Sequence, residues 1–117
     1  MVGFNHFITF NNNGRITDYQ RNYTKDYAKQ VHIYLPPNFN NKKQYNAVFS
    51  VAVLDTYPKQ ILTVEGEKSD TDLNKYTFDL TNLYLQLKSQ NKLGLCRVKL
   101  TSDNGRTKFE SESFRIQ

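Results

Sequence analysis

A lone cysteine, Cys96, no tryptophan and a single methionine leave this chain short of several kinds of chemistry. One cysteine cannot make an intrachain disulfide, and that count agrees with assembly in a reducing cytoplasm. Five glycines are spread without any Gly-x-Gly-x-x-Gly or Walker pattern, so no phosphate-cradling loop is expected. No stretch approaches the ~18 apolar residues of a membrane helix. The opening Met1-Val2-Gly3-Phe4-Asn5 lacks the basic start and apolar run of a signal peptide, and a soluble chain is expected.

Catalytic and metal-binding groups are equally sparse. The two histidines, His6 and His32, fall inside apolar alternations and not in a His-x-x-x-His spacing, which suits half-buried structural residues better than ligands. Cys96 lies among Leu95, Val98 and Leu100 with no local signature of an activated nucleophile, so buried packing is its expected role. Glu65, Glu67, Asp70 and Asp72 gather in one polar segment. Such a run reads as a solvated loop, with a calcium site as its alternative. The expectation is a domain without catalytic residues, metal or cofactor.

What the chain does have is aromatic side chains, eight Tyr and eight Phe, which pack well on a pleated surface and favour strands. At 117 residues it suits one domain with one core. The formal charge is +5 and the pI about 9.3. Lys and Arg are dispersed from Arg15 to Arg115, and the densest run is the pair Lys42-Lys43. Positive charge spread in this way marks solvated strand faces, so neither nucleic acid nor membrane is expected as a partner.

Apolar residues recur with period two, the signature of strands with one buried face. Phe4, His6, Ile8 and Phe10 alternate with Asn5, Phe7 and Thr9 up to the turn Asn11-Asn12-Asn13-Gly14. The Tyr-dotted stretch through Asp26 fits an edge strand or a long loop. Val31, Ile33 and Leu35 share one face, opposite His32 and Tyr34, and Pro36-Pro37 ends that strand because proline offers no amide proton to a ladder. Residues 38–43 read as an exposed loop. Residues 45–54 are apolar on both faces, which predicts a central strand. Residues 57–64 predict a further strand, followed by the polar run 65–72. Tyr76, Phe78 and Leu80 alternate again. Residues 80–88 fit either a strand or a helical turn capped by Asp79 or Thr81, and a short helical or irregular crossover is preferred. Residues 93–100 and 107–116 form a closing hairpin around Asn104-Gly105, a pair suited to a type I′ turn. About seven or eight strands at this spacing predict an all-β antiparallel sandwich.

One motif points outward. Tyr19, Tyr23 and Tyr27 recur every fourth residue, with Arg21, Lys25 and Lys29 between them. The pattern fits a stacking platform for sugars or single strands, a helix face, or a strand that docks on another subunit. Interfaces are enriched in Tyr and Arg, so Tyr19, Arg21, Tyr23 and Tyr27 are read first as a protein contact and second as a glycan contact.

The aromatic N-terminal strand, Asp26 ahead of Val31-His32-Ile33, the Tyr76-x-Phe78-x-Leu80 segment, Gly94 before the penultimate strand and the Asp103-Asn104-Gly105 hairpin recur in one known order. In that order the chain resembles the N-terminal domain of phage baseplate upper proteins. It departs from their pattern at Gly94-Leu95-Cys96, where a cysteine stands in place of a tyrosine, and in lacking Asp-Gly turns before Tyr76. The resemblance implies an immunoglobulin-like sandwich that anchors a receptor-binding assembly in a phage or prophage tail, with other tail proteins as partners and homo-oligomerisation in the assembly. It also implies a virion location after synthesis in the host cytoplasm.

Overall fold

The computed structural model describes residues 3–37, 39, 45–53, 57–72, 74–87 and 94–116. Among these the strands are β1 (Gly3–Phe10), β2 (Ile16–Thr24), β3 (Lys29–Tyr34), β4 (Asn46–Ala52), β5 (Ile61–Glu65), β6 (Glu67–Lys68), β7 (Lys75–Asp79), β8 (Leu95–Thr101) and β9 (Thr107–Glu110). The helix α1 (Thr81–Gln86) follows β7. One sheet has the order β2-β1-β3-β7-β6 and the other β5-β4-β8-β9. The result is the all-β sandwich that the period-two pattern predicts.

The core lies between the sheets and is built from alternate residues of each strand. Ile8 and Phe10, Val31 and Ile33, and Tyr76 and Phe78 face inward from the first sheet. Ala47, Phe49 and Val51, with Cys96, Val98 and Leu100, face them from the second. Phe49 joins the layers, with its ring 5.6 Å from Phe78 and 5.9 Å from Phe114. Burying each such ring contributes about 2–3 kcal/mol. Leu83 and Leu87 from α1 and the turn after it join the same cluster, and Leu80 enters it just before the helix.

The antiparallel expectation needs one correction. β1 pairs antiparallel with β2 but parallel with β3. Residues 25–28 carry the chain from the end of β2 around the start of β1, so that β3 begins beside Phe4 and runs in the same direction. Gly3 permits the crossing: a Cβ there would lie 2.1 Å from the Asp26 carbonyl oxygen and 2.4 Å from that of Ala28. Only glycine allows two backbones to pass so closely.

Other local expectations hold in part: the strand expected at 57–64 is β5, Ile61–Glu65, and residues 57–60 lie outside it. β4 is flanked by β5 and β8, as an apolar strand on both faces should be. The exposed loop expected at 38–43 lies almost wholly outside the described residues; Phe39, which is described, packs against Tyr45 and Phe109. The polar run 65–72 contributes the end of β5 and all of β6. The crossover 80–88 is helical over Thr81–Gln86. Neither expected cap fills the geometric cap position, which is Leu80; instead Asp79 Oδ1 accepts from the Thr81 amide at 2.9 Å and from its hydroxyl at 2.6 Å.

The closing hairpin is present, but its turn is not a two-residue type I′. The Gly105 amide donates to the Ser102 carbonyl, the Ser102 amide donates to the Arg106 carbonyl, and Gly105 has a φ of 81°. That is a turn followed by a left-handed glycine. Residues 11–15 use the same device, with Gly14 at 77°. The returning strand is also shorter than residues 107–116. After Glu110 the Ser111 hydroxyl, in place of a backbone carbonyl, accepts from the Val98 amide at 2.8 Å. The ladder then reduces to an isolated bridge between Cys96 and Phe114.

Candidate interaction surface

The undecided stretch before Asp26 is β2, a nine-residue strand at the end of its sheet. Its tyrosines therefore obey a period of two and not of four. Register with β1 sets Tyr23 opposite Phe4, Arg21 opposite His6 and Tyr19 opposite Ile8, so all three share the face that looks towards the second sheet. Tyr27 lies past the strand, in the crossing segment 25–28. Tyr23 is 64% exposed and Tyr27 67%. The Arg21 guanidinium sits 4.7 Å from the centre of the Tyr23 ring, a cation–π contact that orders both side chains.

Backbone polarity follows from one hydrogen bond. The Phe4 amide donates to the Ala28 carbonyl, so even-numbered residues of β1 turn their polar groups to β3 and odd-numbered ones turn theirs to β2. Asp18, Gln20 and Asn22, opposite Thr9, Phe7 and Asn5, thus close the ladder with β1. The N–H and C=O groups of Tyr19, Arg21 and Tyr23 point away from β1, along the outer edge of the sheet, while at Thr17 a bulge opposite Thr9 interrupts the alternation.

Behind this edge lies a polar anchor within the core. The Tyr19 hydroxyl and His6 Nδ1 share a hydrogen bond. His6 is 0% exposed and its Nε2 has no partner among the described residues. Burial, with Arg21 adding to it, holds His6 at about 4, so the ring is neutral at pH 7. A row of rings continues inward, with His6 4.3 Å from Phe4 and Phe4 5.0 Å from Tyr84 of α1. The Lys29 ammonium lies 4.9 Å from the Phe4 ring and 5.7 Å from that of Tyr84. Burial pushes the Tyr84 phenol well above its ordinary range, reinforced by Cys96 and Tyr19. These residues hold Tyr19 in place and so fix the inner face of β2. Composition and spacing gave no reason to link them to the tyrosine motif, although a histidine in the apolar phase of β1 signals that a buried polar partner is required.

The groups that could suggest catalysis are kept apart. His32 lies on the outer face of the first sheet, stacked on Phe7 at 4.9 Å and bonded through Nδ1 to Thr77 Oγ1 at 2.9 Å. Cys96 faces the core, where burial pushes its thiol up to about 12 against a weaker opposing hydrogen bond from the Ile116 backbone. A thiol so shifted is not a nucleophile at neutral pH. Glu65, Glu67, Asp70 and Asp72 do not converge, and no group of three metal-ligating side chains is found among the described residues. A groove of about 240 Å³ between β5 and α1 is lined by Leu62, Val64, Asp79, Asn82, Leu83 and Gln86, but Asp79 is engaged by Thr81.

No protein-family model, curated protein or solved structure matches the chain. The class of protein is therefore defined by its architecture, a two-sheet all-β sandwich whose best-formed candidate site is a strand edge.

Proposed function

We propose that this domain is a non-enzymatic docking module, a structural adaptor of a phage or prophage tail that holds a receptor-binding assembly through contacts at β2. The observation that carries the docking reading is the character of that edge. Sheet edges that must stay single are shortened, or protected by lysine and proline. β6 has two residues, β9 four and β5 five, whereas β2 has nine with neither lysine nor proline. Arg21 and Tyr23, exposed on its inner face beside that edge, are of the types enriched at protein interfaces. The tail assignment rests on the order of motifs in the sequence.

Light scattering of the chain mixed with baseplate proteins tests the reading, with an Arg21→Pro variant alongside. The Arg21 amide points away from β1, so proline there spares the β1–β2 ladder while removing an outward donor. Association that weakens in the variant is the expected result. No association with any tail protein at high concentration would refute it. The open rings of Tyr23 and Tyr27 favour a glycan as the second reading. A glycan array showing one sugar preference that disappears in Tyr23→Ala and Tyr27→Ala would replace the first reading with the second.

A further inference from the structure

The β2 edge is complementary to itself. An added antiparallel strand must bond to the groups that point outward, those of Tyr19, Arg21 and Tyr23, so any two-fold pairing of β2 with its own copy joins odd residues to odd residues. Gln20 is the midpoint of Ile16–Thr24, and a two-fold axis through it overlaps the two strands from end to end, with the Thr17 bulge at each end of the seam. In that register Tyr19 faces Arg21 of the copy and Asp18 faces Asn22. Each arginine then meets an aromatic ring, and each aspartate an amide that can donate to it. Moving the axis to Arg21 sets guanidinium against guanidinium, while moving it to Tyr19 leaves the last residues of the strand unmatched.

From this complementarity we infer that two copies of the domain associate through β2, antiparallel and centred on Gln20, to form one continuous ten-stranded sheet. The five strands of each copy supply the ten, and the two Tyr19–Arg21 pairs of the seam hold roughly four backbone hydrogen bonds. Because paired residues keep the same face, the second sheets of both copies lie on one side. Tyr19, Arg21 and Tyr23 of each copy line the channel between them. The inference rests on the reading of β2 as a docking edge and adds the partner and the register.

Cysteine cross-linking reads the register directly. Gln20 belongs to a non-hydrogen-bonded pair across the seam, where Cα atoms lie about 4.5 Å apart, within disulfide range. Gln20→Cys is expected to yield a disulfide-linked dimer under mild oxidation. Asn22→Cys is not, since the two copies of residue 22 are roughly 14 Å apart. A mixture of Asp18→Cys and Asn22→Cys should cross-link to each other. Cys96 is buried and does not compete. Sedimentation velocity of the unmodified chain should show a concentration-dependent dimer, weakened at least tenfold by Arg21→Pro with circular dichroism unchanged.

Equal cross-linking of Gln20→Cys and Asn22→Cys would overturn the register, and a monomer at millimolar concentration without Gln20→Cys dimers would overturn self-association. Should that monomer still bind a tail protein in a manner lost in Arg21→Pro, self-pairing falls while the docking reading stands.

Discussion

Gly14 and Gly105 close two hairpins with the same backbone device, yet alanine at each is expected to differ sharply in cost. Both sit at positive φ, 77° and 81°, where a Cβ is unfavourable by roughly 1–2 kcal/mol. At Gly105 a Cβ would meet no atom within 4 Å, so this backbone penalty is the entire cost. At Gly14 the same Cβ would lie 2.2 Å from the Glu110 carbonyl oxygen and 3.1 Å from Ser111 Cα. These are backbone atoms and cannot rotate aside. Relief requires lifting the β1–β2 turn from β9, which breaks the 2.7 Å bond from the Glu112 amide to the Gly14 carbonyl and disturbs the edge-to-face contact of Phe10 with Phe109. Those losses add about 1 kcal/mol and 0.5–1.5 kcal/mol. Gly14→Ala should therefore cost about 2.5–4.5 kcal/mol and Gly105→Ala about 1–2 kcal/mol, out of a total near 5–15 kcal/mol. Thermal unfolding should register about 4–8 °C for Gly105→Ala and two to three times that for Gly14→Ala, at roughly 4 °C per kcal/mol. Urea midpoints give an independent scale. Equal losses at the two positions would refute the claim that the turn is clamped against the second sheet.

Three further outcomes follow from the core. His6 titrates near 4 in the fold against 6.5 in the unfolded chain, so the unfolded state binds more protons between those values. Stability should be complete above pH 6.5 and decline towards pH 4 by on the order of 2–3 kcal/mol, a slope that His6→Gln should flatten in urea titrations; an unchanged slope would exclude His6 as its source. Cys96 should react with a disulfide reagent at under about 1% of the free-thiol rate, recovering in urea, and fast labelling of the native chain would contradict its burial. Phe49→Ala should cost about 3–5 kcal/mol, and a double-mutant cycle with Phe78→Ala should return a coupling of about 0.5–1.5 kcal/mol; a coupling of zero would deny their ring contact.

The legible parts of the sequence were those where a strand has one wet and one dry side. In β1, β7 and β8 the large buried side chains are the ones that alternation assigns to the core, whereas β3 also buries His32 on its outer face. β2 was ambiguous because its inner face carries Tyr19, Arg21 and Tyr23, so no apolar phase marks it as a strand. The spacing of its tyrosines suggested a helical face only because four is a multiple of two. Tyr27 shared that spacing but belongs to the crossing segment, so the motif divides where the strand ends. Tyr19 bonds to His6 of β1, and the ring row behind it reaches Tyr84 of α1, far along the chain, which could not be read from local pattern. At the closing hairpin Asn104-Gly105 announced a turn, while its type was set by the bond from Gly105 to Ser102.

The sequence alone determined that this protein is made of strands, where most of them turn, and which residues turn away from water, because side-chain direction in a strand depends on parity and on nothing distant. Tertiary structure decided which strands are neighbours, that β3 runs parallel to β1, and that β2 ends its sheet. Pairing order depends on where the chain crosses itself. Here that crossing rests on the space left by the missing side chain of Gly3, whose effect appears only when Asp26 and Ala28 are brought against it.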